Sequence, residues 1–139
     1  MTLAVDTSAA VALLMSSHVA HRVVRRQLRG QDLVLTQHSL AETYGVLTRL
    51  PGDARVAPAD AVRLIDANFG PPALMPPAAA ASVPTLLGEL NIVGGAVYDG
   101  LVGLAAKANE LPLATRDLRA AATYGALGVE VIAILDDLG

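Results

Sequence analysis

Four carboxylates in the 139-residue chain stand where a solvated surface does not account for them. Asp6 ends the apolar run Thr2–Val5, and Glu42 lies in the first half of a helical stretch. Asp99 interrupts the apolar segment Gly95–Ala106, and Asp117 follows directly on Leu113–Ala114. The remaining acids, Asp32, Asp53, Asp60, Asp66, Glu89, Glu110, Glu130, Asp136 and Asp137, need only water around them. If the four converged, they would repel one another and take up protons unless a hard cation offset their charge. Spacing alone does not bring them together, and three have plainer readings. Asp117 can be a helix cap or first-turn dipole partner, Glu42 a solvent-facing helix residue, and Asp6, beside Thr7 and Ser8, a cap as well. Asp6 and Asp99 are harder to dismiss, because a carboxylate buried without a partner costs several kcal/mol.

Other chemistries are excluded by composition. There is no cysteine, so a disulfide scaffold, a thiolate zinc site and a cysteine nucleophile are impossible. Lys107 is the only lysine and follows no glycine-rich loop, which rules against a P-loop. Met1–Met15 is interrupted by Asp6 and has no basic leader, so neither a signal peptide nor a membrane span is expected, and the chain reads as cytoplasmic. The formal charge of −3 and pI near 5.5 give no overall pull toward nucleic acid.

A local pull exists. No acid lies between Asp6 and Asp32, and that stretch holds Arg22, Arg25, Arg26 and Arg29. On a helix of about 100° per residue these arginines and His18 share one arc, while Val19, Val23, Val24 and Leu28 fall largely outside it. The face is either a solvated surface or a stripe that tracks phosphates. Arg116 and Arg119 flank Asp117 and are candidates for the same contact. His18, His21 and His38 are expected to be bystanders.

The elements that must position these residues read as short strands alternating with helices. Strands are expected at Thr2–Val5, Leu33–Thr36, Leu113–Ala114 and Glu130–Leu135. Helices are expected over Ala9–Met15, capped by Thr7 or Ser8, over His18–Arg29, capped by Ser16 or Ser17, and over Gln37–Leu50. Further helices are Ala59–Phe69 behind Pro58, Ser82–Leu90, Ala96–Asn109 and Leu118–Tyr124. In the third helix Leu40, Tyr44, Val46 and Leu47 share a side; in the fourth, Val62, Ile65 and Phe69 do. The five prolines from Pro71 to Pro84 bar a long helix and leave a rigid connection with a possible edge strand at Ala73–Met75. With 53% apolar residues, this is one α/β domain over residues 1–139, its parallel sheet covered on both faces. Sites in such sheets form beyond the carboxyl ends of the strands, where three of the four acids fall.

The segments Val5-Asp6-Thr7-Ser8-Ala9, Leu40-Ala41-Glu42, Tyr98-Asp99 and Ala114-Thr115-Arg116-Asp117 occur in the order and rough spacing of PIN-domain ribonucleases. From Thr2 to about Ile134 the chain resembles the VapC toxins of VapBC toxin-antitoxin pairs. The resemblance implies a three-layer α/β/α sandwich with a mostly parallel central sheet. It also implies an endoribonuclease whose catalytic Asp6, Glu42, Asp99 and Asp117 form one pocket for Mg²⁺ or Mn²⁺, with Thr115 and Ser8 in support. The metal would deliver an activated water to an RNA phosphodiester. The implied partners are the RNA substrate, a second copy in a homodimer, and a VapB-type antitoxin. A segment of that antitoxin would dock near Val11, Leu14 and Val23 and place an Arg or Lys in the pocket. Leu118, Ala120 and Ala121 stand where some relatives carry a further polar ligand, which argues against a full second metal site. The alternative is a PIN-like interaction module that no longer cuts. A receiver domain wants paired acids after the first strand, and a haloacid-dehalogenase fold wants an Asp where Ser8 stands, so neither fits.

Overall fold

The strands are short and carry apolar side chains on both faces, as a sheet covered on both sides requires. The computed structural model describes residues 1–136, so Asp137 lies outside the described residues. In chain order the elements are β1 (Thr2–Val5), α1 (Thr7–Leu14), α2 (His21–Gln27), β2 (Asp32–Leu35), α3 (Gln37–Thr48), a 3₁₀ turn (Gly52–Ala54), α4 (Pro58–Asn68), α5 (Pro77–Ala81), α6 (Val83–Gly88), α7 (Ala96–Ala108), β3 (Leu113–Thr115), α8 (Leu118–Ala126) and β4 (Val131–Ala133). The strands pair in the order β2-β1-β3-β4, all parallel, with Val5 opposite both Leu35 and Ala114.

Alternation along the strands sorts the core into two layers. Leu3, Val5, Leu35 and Ala114 pack with Ala9, Ala10, Val24, Leu28 and Ile65 from α1, the α2 segment and α4. Ala4, Val34 and Leu113 point the other way, toward Leu87, Val102, Leu104, Tyr124 and Leu127 from α6, α7 and the α8 segment. The result is the expected three-layer sandwich. On the second side the helices come very close: a Cβ on Gly103 would lie 2.6 Å from Leu127 Cδ1 and 3.3 Å from Tyr124 Cδ1, so glycine is what lets α8 seat against α7.

Several boundaries differ from the sequence reading, each for a local reason. Asp6, not Thr7 or Ser8, caps α1, accepting the Ala9 N–H. α2 begins at His21 rather than His18, and Ser16 and Ser17 cap nothing. His18 instead makes its own turn, its N–H donating to Met15 O and its Nδ1 accepting from Ala20 N–H. Val19 is left 96% exposed. β2 stops at Leu35, because Thr36 caps α3 in a reciprocal box with Ser39. The buried side of α3 is Ser39, Thr43 and Leu47 rather than Leu40 and Tyr44, and α4 buries Ala61 and Ile65 while Val62 stays 49% exposed. At these positions small residues face inward because neighbouring elements approach closely, which hydrophobicity alone does not reveal. The proline-rich segment contributes a single bridge, Thr36 to Ala73, and the short helix α5, whose first residue, Pro77, needs no N–H partner there.

Candidate active site

β1 and β3 are neighbours, so their carboxyl ends deliver Asp6 and Asp117 side by side, and each acid also caps the helix that follows. α3 leaves the end of β2 and carries Glu42; α7 carries Asp99 in its first turn. All four line one cavity of about 160 Å³, together with Thr7, Ser8, His38, Tyr98 and Tyr124. Capping and clustering are therefore not rival readings for Asp6 and Asp117, since the same geometry serves both. The depth is graded. Asp6 is 4% exposed and forms the floor, Asp99 is half-buried, and Glu42 and Asp117 stand at the rim.

The floor is fully tied. Asp6 Oδ1 accepts from Ser8 Oγ at 2.6 Å and from the Ala9 N–H at 3.2 Å, and Oδ2 accepts the Tyr124 hydroxyl at 2.9 Å. A carboxylate has roughly four lone-pair positions. Oδ1 is thus saturated, and Oδ2 keeps one free. Ser8 Oγ in turn accepts the Arg116 N–H at 2.9 Å and lies 3.3 Å from Thr115 Oγ1, which accepts the Asp117 N–H at 3.0 Å. Ser8 and Thr115 hold the β3–α8 corner against the start of α1.

Burial pushes the Asp6 carboxyl above its ordinary range, and the polar groups around it, Ser8, Thr115, Tyr124 and the Ala9 N–H, pull it part of the way back. Asp99 is also pushed up, first by burial and then by the neighbouring charges of Asp117, Asp6 and Glu42, with His38 opposing. The Tyr124 hydroxyl is driven far upward by burial and by Asp6, so it remains a donor. No Arg or Lys lines the cavity.

The donor set is all oxygen, which suits a hard cation. Thr7 Oγ1 and His38 Nε2, both on the cavity wall, are buried without a hydrogen-bond partner, as befits a wall built against something polar. As the side chains stand, no three carboxylates or imidazoles among the described residues are gathered closely enough to enclose an ion.

His38 is not a bystander. Its Nε2 lies 3.5 Å from Glu42 Oε2, at ion-pair distance without hydrogen-bond geometry, and its ring stacks on Tyr98. The i, i+4 spacing to Glu42 is a usable sequence signal for this pair. Tyr124 has none, because it sits on a helix that reads as ordinary core. Among the arginines, Arg22, Arg25, Arg26 and Arg29 line a separate hollow of about 510 Å³ with His21, all four exposed. Arg116 is paired with Asp136 at 2.9 Å, while Arg119 is exposed beside Asp117.

The PIN domain family matches residues 3–126. The chain is 48% identical over 130 residues to Ribonuclease VapC27 of Mycobacterium tuberculosis, covering 94% of this chain and 95% of that one. It is 42% identical over 131 residues to Ribonuclease VapC40 of the same species, covering 93% and 96%. Among solved structures, a chain of FitAB bound to a DNA fragment superposes with a TM-score of 0.68 at 18% identity over the full length of both chains. A chain of VapBC2 from Rickettsia felis bound to a promoter fragment gives 0.65 at 13% identity, covering 96% of this chain and 98% of that one. These two likenesses bear on the fold, and they agree with the parallel sheet and its two helical layers. Family match, relatives and architecture converge, and the chain belongs to the PIN-domain family, among its VapC-type members.

Proposed function

We propose that the chain is a metal-dependent endoribonuclease and the toxin of a toxin-antitoxin pair. The observation that carries this reading is the gathering of Asp6, Glu42, Asp99 and Asp117, from four separate stretches of sequence, into one cavity with no Arg or Lys on its wall among the described residues. The names of its relatives in Mycobacterium tuberculosis, both called ribonucleases, point the same way.

The four acids would hold Mg²⁺ or Mn²⁺, whose chemistry is to activate a water and offset charge on a phosphodiester. The chain's own residues divide the remaining work. Ser8, Ala9 and Tyr124 hold Asp6 so that only Oδ2 has a lone pair to offer. Thr115 fixes the backbone at Asp117. Glu42, beside His38, and Asp117 would close the site from the rim, with Asp99 between them and the floor. Arg22, Arg25, Arg26 and Arg29 give RNA phosphates a landing surface away from the repelling acids, and Arg119 stands beside the cleavage site. Leu118 is exposed and Ala120 and Ala121 offer no donor, so the same cavity favours one ion over two.

The inhibiting partner follows from the same electrostatics. An Arg or Lys from an antitoxin segment would make charge-assisted hydrogen bonds to the rim acids and compete for the oxygens a metal needs. Val11 and Leu14 are half-buried and can take part in docking; Val23 is 8% exposed and belongs to the core, so it drops out.

The deciding experiment titrates purified protein with Mn²⁺ by calorimetry and follows cleavage of cellular RNA with and without EDTA. Mn²⁺ binding with EDTA-sensitive cleavage supports the reading. Folded protein that binds no Mn²⁺ and leaves RNA intact would return the chain to a non-cutting interaction module. Growth arrest on expression alone, relieved by the small protein encoded next door, tests the pairing.

A further inference from the structure

Aromatic residues are scarce: three Tyr, one Phe and no Trp. Phe69 and Tyr124 are core residues, whereas Tyr44 is 38% and Tyr98 58% exposed. A lone exposed ring is ordinary on a protein surface and argues nothing by itself. Two further observations single out Tyr98. It precedes Asp99 and lines the carboxylate cavity. Its ring is also stacked on the imidazole of His38, with centroids 5.6 Å apart and planes 23° from parallel, and His38 is itself held near Glu42. An aromatic side chain braced on one face has surrendered its rotamer freedom before any ligand arrives, which is what a preorganised contact requires. The exposure of Tyr98 shows that the stack does not use up the ring.

We propose that Tyr98, braced by His38, is a stacking platform for an unpaired nucleobase of the strand whose phosphate faces the carboxylates. This rests on the nuclease reading above and adds to it a residue that positions the strand. Every base has a π-face, so a platform tolerates sequence, but it admits only a base that can leave its own helix. A base already unpaired is therefore the one that Tyr98 can hold.

The test measures binding of a 5′-labelled single-stranded RNA 12-mer of mixed sequence, and of the same sequence in duplex, by fluorescence anisotropy with Ca²⁺ in place of Mg²⁺. Proteins compared are the parent, Tyr98→Phe and Tyr98→Leu, with folding checked by circular dichroism. Tyr98→Leu should weaken single-strand binding by about 5- to 150-fold, the range set by stacking one base on an aromatic ring. Tyr98→Phe should stay within about twofold of the parent, and duplex binding should not distinguish the three. One abasic nucleotide walked along the 12-mer should reproduce the loss at a single position in the parent and add nothing in Tyr98→Leu. Equal single-strand affinity for parent and Tyr98→Leu overturns the platform, including the case where Tyr98→Leu instead loosens a co-purified antitoxin. So do abasic and Leu effects that add at every position. Mn²⁺ calorimetry on the same samples separates the failures: with Mn²⁺ bound and RNA affinities equal, the platform alone fails, whereas without Mn²⁺ binding the nuclease reading fails first.

Discussion

The carboxylate cavity and the arginine hollow both concentrate charge of one sign, but they are built in opposite ways. The cavity draws its acids from α3, α7 and the starts of α1 and α8, and its floor residue is 4% exposed. The hollow comes from one short stretch of chain around α2, residues 21–29, with its arginines in water. In the cavity, like charges are forced together and partly dried. Burial and then the charges of Asp117, Asp6 and Glu42 raise the proton affinity of Asp99, and Asp6 depends on neutral donors such as Ser8 and Tyr124. In the hollow the four arginines are solvent-exposed, where charge–charge interactions are weak. Losses should therefore be near-complete and coupled in the first region, graded and additive in the second.

The contrast can be broken most directly at Asp99. Asp99→Asn should lower cleavage by about three orders of magnitude, the scale of removing a charge from a transition-state site, without lowering the melting temperature of the metal-free protein. Asp6→Asn should lose as much activity. Either variant cutting RNA at the parental rate would show that the cavity does not work as a unit. The arginines should behave otherwise. Replacing Arg22, Arg25, Arg26 and Arg29 with Ala should flatten the log–log salt dependence of RNA binding by about 0.7 for each phosphate no longer neutralised, with Mn²⁺ affinity unchanged. An unaltered slope would make the hollow an ordinary solvated surface.

Finer tests act inside the cavity. Tyr124→Phe keeps the ring that packs beside Gly103 and removes only the donor to Asp6 Oδ2. Mn²⁺ affinity should fall by about tenfold while the fold is retained, as for other groups that orient a ligand. Unchanged affinity would show that Oδ2 needs no aiming. The smallest effect is on pH. The folded-state pKa of Asp6 and Asp99 lies above the ordinary 3.8, so the folded protein holds those protons more tightly than the unfolded chain. Their contribution to stability is greatest in acid and is lost as pH rises from about 3.8 through the raised values. Thermal melts in EDTA should show that decline, Asp99→Asn should reduce it, and Mn²⁺ should offset it near neutral pH by binding only the folded state.

How much of this is legible in the sequence depends on how far each interaction reaches. Asp6, Glu42, Asp99 and Asp117 can be singled out because each breaks a local pattern, and the rule that parallel sheets bind at their carboxyl ends says where such residues meet. The three-layer arrangement is legible for the same reason, since each strand is apolar on both faces. What escapes is packing between distant elements. The Tyr124 hydroxyl reaches Asp6 across 118 positions, and the His38–Tyr98 stack exists only because α3 and α7 meet in one register. The start of α2 is misplaced by a sequence reading because Ser16 and Ser17 look like caps, whereas the imidazole of His18 captures the Ala20 N–H and delays the helix.

The strand order carries a consequence for how the molecule is made. β1 pairs with β2 early in the chain, but its other edge must wait for Leu113–Thr115, and the site must wait for Asp117 and Tyr124 beyond that. Pairing across so long a separation is entropically slow to form. A chain emerging from the ribosome thus carries its arginine stripe long before it can assemble four acids around one cavity. Asp117 and Tyr124 come after α7, so no part of the chain up to α7 holds the complete cavity.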